Sequence, residues 1–353
     1  MDQRSTKELQ ISFLSGGDSM IAITGATGHI GNALLREPFL EGKKLRALVP
    51  PSEDFSCIKD LDVEIVSGDL RDMDSLILAF TGAEVVYHLA GIVSIGSGKK
   101  RLLHEVNVNG TKNVIDACIE TKVKRLVYVS SIHAFTEPPH GTPILENKDF
   151  DESKVVGNYG KSKAEATKEV FKAVDRGLDA VILHPTGVIG PYEYKLSNTG
   201  QLIVDFVNRR LAAYIDGAYD FVDVRDVARG IVLACERGRK GENYILSGEQ
   251  ITVKRILEIL QEETGLMAPK LKVPFWLAKL TAPLSELYYM IRKQQPLYTS
   301  YSIFTLASNS LTTHKKAAQE LGYSARPIRE SIKDTLAWLQ ENGKIPLCPA
   351  ATH

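Results

Sequence analysis

Several things that would type a protein by composition are missing from this chain. Basic and acidic residues balance at 43 each, leaving no formal net charge, so no electrostatic footprint points to nucleic acid or another polyanion. Cysteine is scarce: Cys57, Cys118, Cys235 and Cys348 are scattered over 353 residues without a CxxC pair. That excludes a disulfide scaffold and fits reduced thiols of a cytoplasmic protein. No His/Cys/Asp/Glu group has metal-ligand spacing, so no metal is expected. No apolar run is long enough for a transmembrane helix. Residues 1–19 hold only the short run Ile11-Ser12-Phe13-Leu14, too little for a signal-peptide core, and read as an N-terminal extension. What remains, 44% hydrophobic and 24% charged residues, is an ordinary globular chain with core enough for one large or two modest domains.

One stretch organises the rest. Tyr159-Gly160-Lys161-Ser162-Lys163 opens a segment of good helix formers that runs to about Phe171. Positions i and i+4 share a helical face, so Tyr159 and Lys163 project together. A phenol is a poor base near neutrality, and a neighbouring ammonium is expected to lower its pKa. The pair can then pass a proton to or from a substrate oxygen. A stray YxxxK is ordinary helix surface; its weight here comes from its place in the chain.

That place is set from Met20 onward. Met20-Ile21-Ala22-Ile23-Thr24 is an apolar strand, followed by Gly25-Ala26-Thr27-Gly28-His29-Ile30-Gly31 and a helical Asn32–Leu40. Gly25 permits the tight turn, Gly28 lets the backbone approach a pyrophosphate, and Gly31 allows close helix–strand packing. Strands at Leu45–Val49, Val63–Val66, Val85–Gly91, Arg125–Val129 and Ala180–Leu183 alternate with helices at Asp72–Phe80, Leu102–Glu120 and the Tyr159 segment. Such alternation implies a parallel sheet covered on both faces by helices.

TGATGHIG, GDL at Gly68–Leu70, HLAG at His88–Gly91, NVNGT at Asn107–Thr111, VSS at Val129–Ser131, YGKSK and HPTGVIGP at His184–Pro191 occur in one order. From about residue 20 to 342 this order resembles the extended short-chain dehydrogenase/reductases. The resemblance implies an α/β fold, a Rossmann-type doubly wound parallel sheet with a smaller, interleaved C-terminal substrate domain. The Rossmann part would span 20–188 with 221–247 returning to it, the substrate part 189–220 and 248–345, with 346–353 a tail. It implies NAD or NADP as cofactor, Tyr159 as acid/base, Lys163 tuning it and binding the nicotinamide ribose, and Ser131 bonding the reacting oxygen, with Ser130 the neighbouring alternative. Asn107 would support the site. Gly25, Gly28, His29, Ile30 and Gly31 would hold the pyrophosphate, Asp69 and Leu70 would flank the adenine, Leu89, Ala90 and Gly91 would lie beside phosphates and ribose, and Pro185, Thr186 and Val188 beside the nicotinamide. The plain alternatives are a helix-interior polar residue for Asn107 and a turn residue for Asp69. Neither an acidic nor an arginine selector closes the second strand, which runs Val49-Pro50-Pro51-Ser52-Glu53-Asp54, so the choice of cofactor stays open.

Two departures narrow the branch. Tyr219 stands where nucleotide-sugar enzymes of the family place an arginine for the diphosphate, and His184 replaces the usual arginine before Pro185. The segments Lys270–Leu280, Leu284–Ile291 and Tyr298–Leu306, dense in apolar residues and rings, with Lys315–Gly322 and Ile328–Leu339, resemble the 3β-hydroxysteroid dehydrogenase and dihydroflavonol reductase branch. The expectation is an oxidoreductase interconverting an alcohol and a ketone or aldehyde on a bulky apolar, steroid- or flavonoid-like substrate. The alternatives are a nucleotide-sugar epimerase or dehydratase with tightly held NAD, and a cofactor-binding protein without turnover. The alternative for the apolar C-terminal residues is plain core; a helix resting on a membrane surface is a further, not favoured, alternative. The resemblance also implies a homodimer through the helices near 102–120 and 159–176.

Overall fold

The structure is a computed structural model and describes residues 19–93, 100–282 and 300–346. Most of the N-terminal extension, Leu284–Ile291 and the tail beyond Pro346 lie outside them.

Strand β1, Met20–Thr24, starts in the middle of a sheet. Its Ile21 and Ile23 point into one helix layer and Ala22 into the other, as the two-residue period of a strand requires. Both faces are buried, which is why the sheet strands read as nearly continuous apolar runs. Around β1 stand β2 (Lys44–Val49), β3 (Glu64–Ser67), β4 (Ala83–His88), β5 (Arg125–Val129), β6 (Ala180–Pro185) and β10 (Asn243–Leu246). Their order is β10-β6-β5-β4-β1-β2-β3, with every pairing parallel. β1 has β2 on one side and β4 on the other, so the winding reverses there, the place where doubly wound sheets open a crevice at their C-terminal edge.

One face is covered by α1 (His29–Leu34), α7 (Val224–Arg237) and α10 (Lys315–Leu321), the other by α2 (Met73–Phe80), α4 (Gly110–Glu120) and α5 (Asn158–Asp175). Two expected helices differ in detail. The Asn32–Leu40 helix ends at Leu34, and Pro38, which has no N–H to continue an α-ladder, opens a separate 3-10 turn at Pro38–Leu40. The Leu102–Glu120 helix is α3 (Lys100–Leu103), a π-helical stretch His104–Asn109, and α4. The widened turn contains Asn107, and such turns recur at functional sites.

The smaller lobe is built on β7 (Gly187–Ile189), β9 (Ala218–Asp223) and β11 (Glu249–Thr252), in the order β11-β9-β7, with a short β8–β12 pair (Ala213–Ile215, Leu271–Val273). Its core joins α6 (Asn198–Val207), α8 (Val253–Thr264) and α11 (Ile328–Glu341). The two lobes interleave: β9 belongs to the small sheet, then Asp223 caps α7, accepting from the Arg225 N–H at 2.8 Å, and α7 runs back over the large one.

Arg125 anchors the buried start of β5. Its guanidinium bonds both Asp179 oxygens and donates to the carbonyls of Cys235 and Gly238 at 2.8 and 2.9 Å. Arg125→Met leaves those acceptors buried and unpaired, and is expected to lower the unfolding free energy by about 3 kcal/mol in a urea titration.

Candidate active site

β5 ends in Val129 and delivers two serines with different surroundings. The Ser130 hydroxyl donates to Thr167 Oγ1 at 2.7 Å, because the Thr167 hydroxyl itself donates to the Lys163 carbonyl. Ser131 caps the following turn, accepting from the His133 N–H at 3.2 Å, and its side chain also bonds Tyr159. Of the two alternatives, Ser131 is the one beside the tyrosine. Helix α5 reaches this turn because Gly160 has no side chain: a Cβ there would sit 2.6 Å from the His133 carbonyl oxygen. The glycine inside YGKSK is thus a contact requirement.

Tyr159 and Lys163 are both buried on the same face of α5. The Lys163 ammonium donates to the Val129 carbonyl at 2.9 Å and lies 5.0 Å from the centre of the Tyr128 ring. Spacing alone has this ammonium lower the Tyr159 pKa; in the structure burial raises it. Desolvation pushes the Tyr159 phenol up, offset in part by its hydrogen bond with Ser131, and draws Lys163 down to about 7.

Asn107 is held from three sides. Its Nδ2 donates to the Ile92 carbonyl and to Ser162 Oγ, each at 3.0 Å, and its Oδ1 accepts from the Ile92 N–H at 2.8 Å. Ser162 passes the link on, donating to the Tyr159 carbonyl at 2.7 Å. Asn107 therefore ties the strand-end loop after β4 to the first turn of α5. A Cβ on Gly91 would stand 3.3 Å from Asn107 Oδ1 and 3.4 Å from Lys163 Nζ, so Gly91 keeps open the space beside both.

The residues expected around a nicotinamide cofactor gather at the C-terminal edge of the large sheet. Gly25 has φ +78°, and a Cβ on it would meet the Ala90 nitrogen at 2.6 Å; one on Gly31 would meet the Gly25 carbonyl at 2.2 Å. Gly28 begins α1 with no capping side chain, which leaves the first-turn N–H groups facing outward, the arrangement that suits a pyrophosphate. The cradle fits the group. His29 joins this turn to the smaller lobe through the Pro191 carbonyl at 2.9 Å, and Ile30 packs against the core. Leu89 and Ala90 are hung from Thr24 by its carbonyl and hydroxyl. Asp69 holds Arg71 at 2.6 Å, which lowers the carboxyl pKa, and Leu70 is buried under Gly110. Pro185 closes β6, the Thr186 N–H donates to the Leu246 carbonyl, and Val188 belongs to β7 in the small sheet. Glu53 turns back to the glycine turn, accepting from the Thr27 hydroxyl at 3.2 Å and pairing with Lys195, while Asp54 stays exposed and bonds Ser56.

His133, whose ring touches Tyr159, lines an open cleft between the lobes with a cavity volume of about 50 Å³. Ile132, Phe135, Ile144, Val155 and Phe304 give it apolar walls, with Thr186, Asp220 and Thr312 among its polar groups. His133 links cleft and tyrosine: its ring meets Tyr159 edge-on at 6.2 Å and stacks on Tyr219, whose hydroxyl is 2.9 Å from Nε2. Burial draws His133 down to about 4, so the ring is neutral at physiological pH. Tyr219 thus forms an aromatic pair with His133 at the cleft.

Two buried histidines, His88 of HLAG and His184 of HPTGVIGP, hold the site. Ala90 N–H donates to Thr24 Oγ1, which bonds His88 Nδ1 at 2.7 Å; His88 Nε2 bonds Thr111 at 3.0 Å, and Thr111 donates to the Asn107 carbonyl. Since the Thr111 hydroxyl proton is committed, His88 is neutral with its proton on Nε2, as its pKa of about 3 requires. His184 is the packed alternative: Nδ1–H donates to the Ser131 carbonyl at 3.1 Å, and the ring lies between Phe135 and Phe150. His88 opens the HLAG motif, but its link through Thr111 to Asn107 is not visible in the sequence.

The low pKa of Lys163 has a consequence for stability. The unfolded chain holds this proton up to about pH 10.4, the folded one only to about 7. The penalty is therefore full below pH 7 and is relieved as pH rises from 7 towards 10. The stability of the wild type minus that of Lys163→Met should rise between pH 6 and 9, by at most about 1.4 kcal/mol per unit, in paired denaturant titrations.

A family model described as the NAD dependent epimerase/dehydratase family matches residues 21–247. Sterol demethylase protein B of Methylococcus capsulatus is 35% identical over 327 residues, covering 92% of this chain and 99% of that protein. A Synechocystis sp. protein named for dihydroflavonol 4-reductase is 33% identical, covering 92% and 95%. The crystal structure of gox2253 superposes with a TM-score of 0.81 at 33% identity, over 93% of this chain and all of that one. With the glycine cradle, the parallel sheet and these matches together, the chain belongs to the NAD dependent epimerase/dehydratase family of extended short-chain dehydrogenase/reductases.

Proposed function

We propose that this enzyme interconverts an alcohol and a ketone or aldehyde on a bulky, apolar, uncharged substrate, with Tyr159 as the acid/base. The observation that carries this reading is the cleft lined by His133, with apolar walls from Ile132, Phe135, Ile144, Val155 and Phe304, in which Tyr219 pairs with His133 where the family resemblance would lead one to expect an arginine in a nucleotide-sugar enzyme. The names of the sterol and dihydroflavonol relatives support the same substrate class.

Bound NAD(H) supplies the hydride chemistry. Gly25, Gly28 and Gly31 would hold its phosphates, and Lys163, with Asn107 and Gly91 beside it, would hold its ribose. Ser131 hydrogen-bonds the substrate oxygen. In reduction, Tyr159 donates its proton to that oxygen as negative charge develops; in oxidation it takes the proton back. Burial keeps the Tyr159 phenol protonated, the form from which reduction starts. Ser131 holds the oxygen within reach of Tyr159, and the neutral His133 ring walls the site from water. Glu53 reaches the glycine turn but is paired with Lys195, so the assay runs NADH and NADPH side by side. The α4 and α5 surfaces are the proposed contact of a homodimer, which light scattering would test.

Tyr159→Phe should retain cofactor binding, followed by fluorescence, and lose about 10²–10⁴ in turnover. Ser131→Ala should lose about 10²–10³. The assay is oxidation of NADH and NADPH against steroid ketones, flavonoid-like ketones and simple aldehydes, with UDP- and GDP-sugars alongside. Isomerised or dehydrated sugar with no net cofactor consumption would instead assign the epimerase/dehydratase chemistry.

A further inference from the structure

Residues 275–282 are helical, and this helix is inside out. Ala278 and Ala282 are fully buried, packing with Ile303 against Ile215, Val273 and Phe275. The bulky residues face water: Trp276 and Leu280 are each 67% exposed and Leu277 is 37% exposed. At 100° per residue these three form one stripe about 100° wide, directed away from the protein. Among the described residues, five of the twelve exposed large hydrophobics fall between Met267 and Leu280. Single exposed apolar side chains need no explanation, but a clustered stripe marks an interaction surface.

The charge around the stripe says what it meets. Residues 267–282 carry Lys270, Lys272 and Lys279 and no acidic residue, and all three lysines are exposed. Lys272 is shared with Asp216 at 3.0 Å. A tryptophan and leucines flanked by lysines is the composition of a helix lying in a bilayer interface, with the rings at headgroup depth and the ammonium groups on anionic lipid. Two copies of this face brought together would oppose three positive charges with three, which disfavours self-association through it. Among the described residues no helix is long and apolar enough to cross a membrane, so the contact is with the surface.

We propose that the 275–282 helix docks this enzyme on anionic lipid bilayers through Trp276, Leu277 and Leu280, with Lys270, Lys272 and Lys279 as the electrostatic contact. The docked helix belongs to the same lobe whose Phe304 lines the substrate cleft, so an apolar substrate dissolved in the bilayer would have a short path to the site.

The chain supplies its own reporter. It has two tryptophans, and Trp338 is buried against Tyr194, so a lipid-induced change in emission reads Trp276. The full-length protein should co-sediment with phosphatidylcholine/phosphatidylglycerol vesicles, its emission moving to shorter wavelength. Pure phosphatidylcholine should retain far less. Trp276→Ser/Leu280→Ser should remain in the supernatant with an unchanged thermal melt, and each of the three lysines changed to Gln should weaken binding about fivefold. Tyr159→Phe should bind vesicles as the wild type does, which separates this proposal from the catalytic one. Failure to co-sediment, equal binding to neutral vesicles, or retained binding by the double variant would overturn it. So would a concentration-dependent oligomer abolished by the double variant, which would give the face to a second copy.

Discussion

The bond from Lys163 Nζ to the Val129 carbonyl is the contact on which the rest of the site depends. It fixes the height of α5 against the end of β5, and the height decides what Tyr159 meets. One carbonyl further along, the chain reaches Ser130 and Ser131, and the same register puts the first hydroxyl on Thr167 and the second beside the tyrosine. The register is enforced from the other side by Gly160, which allows α5 to touch the His133 carbonyl. Holding a lysine this deep is unfavourable, and its lowered pKa records the strain that desolvation places on the charged form. The surrounding fold supplies the compensation: two helix layers, a seven-stranded parallel sheet, and a buried Arg125 pinning the opposite end of β5.

Around that register the site is insulated by neutral polar chains. Thr24, His88 and Thr111 link Ala90 to Asn107, and Asn107 and Ser162 link the β4 loop to α5. Each buried donor in these chains finds an acceptor, as a dry site demands. His88 in the first chain, and His184 on the Ser131 carbonyl, are too deeply buried to charge near neutrality. The site therefore keeps its geometry across physiological pH, which leaves the proton chemistry proposed for Tyr159 undisturbed by its histidines.

How much of this the chain disclosed in advance follows from how far apart the partners are. The glycine turn and the Tyr159–Lys163 pair are local patterns, so spacing and propensity were enough to find them. The parallel sheet was legible because its strands alternate with helices. The Asn32–Leu40 helix was misjudged because its apolar pattern runs on past Leu34 while Pro38 breaks the hydrogen-bond ladder. The π-helical turn around Asn107 has the same residue types as an α-helix, and nothing in its period sets it apart. Contacts such as His133–Tyr219 and Thr24–His88 join residues 86 and 64 positions apart, distances over which a sequence pattern is silent. Trp276 is the sharpest case: dense apolar residues read as core, and only the packing shows that the alanines of that helix face inward.

The account stands or falls on where a hydride goes. Deuterium-labelled NADH incubated with a bulky ketone should give an alcohol carrying one deuterium on the carbinol carbon, detected by mass spectrometry, with none in the Tyr159→Phe reaction. Ketones left unlabelled, while an added sugar nucleotide is isomerised with no loss of NADH, would contradict it.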